Sequence, residues 1–107
     1  MFTCLFLPVY HVYGFYGKIQ MKMQIEPHTL QRAEERGTNI EEIQITLEHG
    51  TQIPARGNRK AKAKVFSFKE ERLGKHYEEK RVEVIYVEEG NLIVTVTVYV
   101  FYGEWSD

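Results

Sequence analysis

In the stretch "PHTLQRAEERGTN", residues 27–39, His28, Arg32 and Arg36 stand four residues apart. On a helix, side chains at that spacing share one side, so the three would form a ridge of one imidazole and two guanidiniums. Imidazole has an ordinary pKa near 6.5 and can both give and take a proton close to neutrality. Guanidinium is shaped to hold a phosphate through two parallel hydrogen bonds. These are the ingredients of phosphodiester cleavage, in which protons move and a doubly negative phosphorane must be held. The same spacing also suits a solvated helix face, with Glu34 and Glu35 as ion-pair partners. Spacing alone leaves both readings open.

Two further stretches bear on that chemistry. In "LIVTVTVYVF", residues 92–101, strict alternation puts Leu92, Val94, Val96, Val98 and Val100 on one face and Ile93, Thr95, Thr97, Tyr99 and Phe101 on the other. The valine face is expected to meet the helices. The other face would offer Thr95 and Thr97 hydroxyls to phosphate or ribose and Tyr99 to a base, although Thr and Tyr are also simply good strand formers. Between helix and strand, "ARGNRKAKAK" carries Arg56, Arg59, Lys60, Lys62 and Lys64 without an acid. It makes a local positive field that could draw in RNA, or a solubilising edge. Alternation groups Lys62 with Lys64 and sets Ala61, Ala63 and Val65 opposite them.

The elements that would position these groups follow from local signals. Pro27 suits the first turn of a helix and Gly37 its left-handed end. A second helix follows, with Thr38 and Glu41 at capping-box spacing, Ile40, Ile43 and Leu47 as its apolar stripe, and Gly50 as its stop. The period then changes to two. "TQIPAR" and "AKVFSF" read as short strands, "KEERLGKHYEE" as a charged loop, and residues 80–103 as two strands joined around Glu89-Gly90-Asn91. The expected fold is therefore α+β, with two N-terminal helices packed on one face of a three- to four-stranded antiparallel sheet.

Composition narrows the class. The chain has 107 residues, 43% of them hydrophobic and 27% charged, which suits one soluble globular domain. Net charge is −1, from 14 basic against 15 acidic residues, which argues against a protein that coats DNA by basic surplus. Cys4 is the sole cysteine, and the four histidines include no pair three to five apart. No disulfide, metal or cofactor is expected.

Residues 1–20 are unlike the rest, being crowded with aromatics and carrying one charge, Lys18. They lack the positive n-region and small-residue cleavage site of a signal peptide and are too interrupted to span a membrane. An extra edge strand, a membrane-surface or partner-binding segment, an atypical cleaved leader, and a start assigned too far upstream of Met21 and Met23 all remain open. The division expected is residues 1–20 as an aromatic extension and 21–107 as the domain, in a cytoplasmic protein.

"H…RAEERG…IEEI…L", then a short basic strand, then a hairpin ending "IVTVTVY", resembles a prokaryotic family of small uncharacterised domains. That family is grouped with RelE/ParE-like toxins and, more broadly, with the barnase–EndoU–colicin–RelE class of ribonucleases. The resemblance covers roughly residues 23–103. It implies a RelE/ParE-like fold and metal-independent RNA cleavage to a 2′,3′-cyclic phosphate, with His28, Arg32, Arg36 and Thr97 at the family's functional positions. RNA, ribosome-bound or free, is the expected substrate, and a cognate antitoxin the expected protein partner. The different-class alternative is a non-catalytic protein-binding module in a toxin–antitoxin setting.

Overall fold

The computed structural model of the chain describes residues 10–16 and 19–105. The remainder of the aromatic extension lies outside the described residues. The elements in chain order are β1 (Tyr10–Tyr16), β2 (Ile19–Ile25), α1 (Pro27–Arg36), α2 (Ile40–His49), β3 (Thr51–Ile53), β4 (Lys60–Arg72), β5 (Lys75–Glu89) and β6 (Leu92–Gly103). All six strands join one sheet, in the order β1-β2-β6-β5-β4-β3.

This corrects the expected fold. The helices are not N-terminal, because two strands precede them, and the sheet is mixed rather than antiparallel. β2 runs parallel to β6, pairing Lys22 with Leu92, Met23 with Ile93 and Gln24 with Val94. β1 then adds antiparallel to β2, from Tyr10↔Ile25 to Tyr16↔Ile19. The signal for β2 is present in "IQMKMQI", where Met21, Met23 and Ile25 alternate with polar residues and are all buried.

Both helices cover one face. Ala33 of α1 and Ile43 and Leu47 of α2 share a core with Met21, Met23, Ile25, Val82, Val84, Tyr86, Ile93 and Val98. Asn39 caps α2, its side chain accepting from Glu42 N at 2.9 Å. Thr38 therefore does not act as the cap, and its hydroxyl donates instead to Glu42 Oε1 at 2.8 Å.

The alternation expected for residues 92–101 fails midway. β5 and β6 slip register between Ile85↔Thr97 and Tyr86↔Thr95, so Val96 is an extra residue bulged out of the ladder. One inserted residue reverses the phase of everything beyond it. Ile93 and Thr95 are buried before the bulge and Val98 after it, while Val94 and Val96 are only half-buried. The expected valine face thus holds from Val98 onward and is inverted before it.

"KEERLGKHYEE" is not a loop. β4 runs on to Arg72, turns at Leu73-Gly74, and returns as β5. Both turn residues have positive φ, 53° and 82°, as a two-residue hairpin turn with matching twist requires. The long hairpin brings Arg72, Lys80 and Tyr102 against the end of α1. Arg72 Nη2 donates to Glu35 O at 2.9 Å, Tyr102 OH to Arg36 O at 2.6 Å, and Lys80 Nζ to Gly37 O at 2.8 Å. These three cap the helix carbonyls that have no partner within the helix.

Gly37 sits at the centre of that arrangement with φ 93°, and a Cβ there would collide with the Tyr102 hydroxyl and stand 3.0 Å from Arg72 Nη1. A left-handed L-residue costs about 1–2 kcal/mol before any collision. Gly37→Ala is expected to lower the melting temperature by about 10 °C, since a kcal/mol shifts a domain of this size by about 4–8 °C. Thermal denaturation by circular dichroism checks this.

Candidate functional site

The site is built from the start of α1 outward. Glu26 N donates to the Thr95 hydroxyl at 3.0 Å, and that hydroxyl lies 3.0 Å from the Thr29 hydroxyl. Both threonines are buried. Thr95 therefore does not face solvent as expected for an RNA contact. It pins α1 to β6, which the bulge at Val96 makes possible by turning Thr95 inward.

With α1 anchored, its rotation is set. At about 100° per residue, Arg36 lies closest to the buried Thr29–Ala33 stripe and His28 farthest from it, with Arg32 between. The ridge thus spirals from the sheet margin outward. β2 pairs with β6 only as far as Gln24↔Val94, and Arg36 reaches the β6 backbone beyond that point. Its Nη1 donates to Val98 O at 2.7 Å, and its guanidinium lies 5.0 Å from the Tyr99 ring centre. Arg32 Nη1 pairs with Glu35 Oε1 at 2.8 Å, both side chains partly solvated. His28 is exposed.

Tyr99 and Phe101 lie on the sheet face opposite the helices, 42% and 48% exposed. Cross-strand pairing sets Tyr99 beside Glu83 and Phe101 beside Arg81, and Arg81 in turn beside Val65. Thr97 precedes them on the same face and is half-buried. The structure thus joins Arg36 to Tyr99, with Thr97 next along the strand. Among the described residues no hydrogen bond or ion pair ties His28 or Arg32 to Thr97. The pockets beside Lys64 and Arg81, beside Glu79 and Glu104, and beside Leu30 and Asn39 are not lined by His28, Arg32, Arg36 or Thr97.

The basic segment divides. Arg56 and Arg59 are exposed in the turn before β4. Lys60 pairs with Glu88 at 2.6 Å. Lys62 shares a face with Lys64, as the alternation predicts, but that face is the helix side. Lys62 is buried, and its ammonium donates to Leu47 O at 2.9 Å, so it caps α2 and does not reach an RNA backbone. Lys64 stays at the margin, its ammonium 5.8 Å from the Phe66 ring centre.

Comparison with family models, curated proteins and solved structures finds no match for this chain. Its chemistry is therefore read from its own residues. Among the described residues no cluster of three or more His, Cys, Asp or Glu could hold a metal ion, and no helix is long and apolar enough to cross a membrane.

Arg81 and Phe101 were not singled out from sequence as site residues. The alternation in "KRVEVIYV" carries the signal for Arg81, once β5 is recognised as starting ahead of it.

Burial pushes the Tyr102 phenol above its ordinary value near 10, and Glu42 adds to the rise while Arg72 opposes it. A group whose pKa is raised on folding contributes stability that is complete below the unfolded value and is lost as pH climbs through the folded one. Melting temperature is thus expected to fall further above about pH 10 for the wild type than for Tyr102→Phe. Parallel melts across pH 8–11 check it.

Proposed function

We propose that this chain binds single-stranded RNA along the α1–β6 margin and cleaves it as a toxin-type, metal-independent endoribonuclease. The observation that carries the reading is the Arg36 bridge. One guanidinium joins the His28–Arg32–Arg36 ridge to an exposed tyrosine on the open sheet face, so a phosphate held on the ridge would have a base-stacking ring beside it. The order of His28, Arg32, Arg36-Gly37 and the Val/Thr strand, which resembles the RelE-grouped family, supports the same reading.

In this mechanism the substrate's 2′-oxygen attacks the adjacent phosphorus. The O2′–P bond forms, the P–O5′ bond breaks, and the products are a 2′,3′-cyclic phosphate and a 5′-hydroxyl. His28 takes the 2′-hydroxyl proton or supplies the one that the leaving oxygen needs, with water completing the other transfer. Arg36 spends one N–H on Val98 O and keeps others for the phosphorane. Arg32 can exchange Glu35 for phosphate at low cost, because a solvated ion pair is worth at most about 1 kcal/mol. Thr97 orients the ribose, and Lys64, Arg56 and Arg59 guide the backbone.

The test is incubation of the purified chain with RNA, free and ribosome-bound, in EDTA, followed by end-group analysis. Cyclic-phosphate ends support the reading, and intact RNA with every substrate defeats it. A second reading, a non-catalytic module that grips a protein such as an antitoxin, is favoured by the exposed Val65, Tyr99 and Phe101 on one sheet face. Growth arrest by a His28→Ala variant, with RNA intact, would select it.

A further inference from the structure

β3 covers only three residues of β4, ending where Thr51 pairs with Ala63. Beyond that step the margin of β4 opens into a pocket of about 470 Å³, lined by His49, Gly50, Thr51, Ile53, Ala63, Lys64, Val65 and Arg81. That volume is within the range of small-molecule sites. The lining holds an ammonium, a guanidinium, an imidazole and a hydroxyl, and no carboxylate.

One of those cations, Lys64, is not neutralised by the protein among the described residues, whereas Arg81 shares its charge with Glu83 and keeps only its terminal nitrogens for a ligand. Among the described residues Lys64 has no ion pair and no hydrogen bond, only the Phe66 ring at 5.8 Å. Arg81 Nε is buried without a hydrogen bond, although Glu83 Oε2 lies 3.0 Å away in ion-pair contact. The terminal nitrogens of Arg81 take no hydrogen bond among the described residues either. Elsewhere the same chain ties Lys60 to Glu88, Lys80 to Glu42 and Arg32 to Glu35. The negative end of α2 points toward this margin, and Lys62 offsets part of it by donating to Leu47 O.

We propose that this pocket binds the phosphate of a nucleotide, with Lys64 and Arg81 as the charge partners and His49 and Thr51 as additional donors. Phosphate, carrying up to two charges, matches a double-cation lining better than a single carboxylate does. Val65, Arg81 and Phe101 lie in one cross-strand row, and neighbouring strands are about 4.8 Å apart. A phosphate beside Val65 would therefore have the Phe101 ring about 10 Å away, within reach of the nucleotide's own base. The site lies at the β4 margin and is not lined by His28; it shares Lys64 with the proposed RNA path but does not depend on whether RNA is cleaved at His28.

The phosphate could belong to an RNA strand or to a free nucleotide, and titration separates the two. Amide shifts at Thr51, Lys64 and Val65 would be followed by NMR against inorganic pyrophosphate, adenosine 5′-monophosphate and a short single-stranded oligoribonucleotide. Saturable shifts confined to this pocket are expected, weakened at least tenfold in Lys64→Gln and in Arg81→Gln. The oligonucleotide binding tighter than the mononucleotide assigns the pocket to a strand, and the reverse order assigns it to a free nucleotide. Two independent variants guard against misfolding of either one. Shifts that fail to saturate at millimolar ligand, or that are unchanged in both folded variants, would overturn the proposal.

Discussion

Replacing His28 with alanine is expected to cut RNA cleavage by about 10²–10⁴-fold, the usual contribution of a positioned acid or base, while leaving the melting temperature within about 4 °C. The separation follows from placement. His28 is exposed on α1, and an exposed substitution away from caps and core changes stability by about 0.5 kcal/mol at most. The anchor that holds the helix start belongs to Thr95 and Thr29, not to His28. His76→Ala serves as the control, since His76 is paired with Glu78 on β5 at 2.7 Å and should leave cleavage unchanged. Full cleavage by the alanine variant would remove His28 from the chemistry.

Lys80→Ala is expected to cost about 3–5 kcal/mol, the penalty for taking one partner from a buried ion pair, and hence at least about 12 °C in melting temperature. The Lys80 side chain is 9% exposed and its ammonium lies 2.7 Å from Glu42 Oε1, whose own side chain is 20% exposed. It also donates to Gly37 O. One lysine from the sheet therefore holds the end of α1, the turn after it and the first turn of α2. Alanine would leave the Glu42 carboxylate with only the Thr38 hydroxyl and would strand the Gly37 carbonyl. Glu42→Gln in the same chain should recover part of the loss, because an amide is cheaper to bury unpaired than a carboxylate. A shift of less than about 4 °C in Lys80→Ala would show that solvent replaces the pair freely.

Much of the helical layer was legible because its signals are local. Pro27 opens α1, Gly37 ends it with φ 93°, and the apolar spacing of Ile43 and Leu47 marks the buried side of α2. The Glu89–Asn91 turn was legible for the same reason. The ridge of His28, Arg32 and Arg36 needed only the helical period.

Tertiary structure decided the rest, and each case has a physical cause. The parallel pairing of β2 with β6 joins Met23 to Ile93, a partner seventy residues away, and nothing local specifies it. The β4–β5 hairpin was hidden because its ends alternate charge with charge instead of apolar with polar, and its Leu73-Gly74 turn lacks the usual Asn or Asp. In the "VTVTV" of residues 94–98, a bulge has no compositional mark, because the same residue types repeat on either side of it. That single inserted residue, Val96, buried Thr95 and left Thr97 and Tyr99 on the open face. Lys62 and Lys64 are alike in sequence. Their fates differ because one lies under the end of α2, where an unpaired carbonyl can take its charge, and the other lies past it.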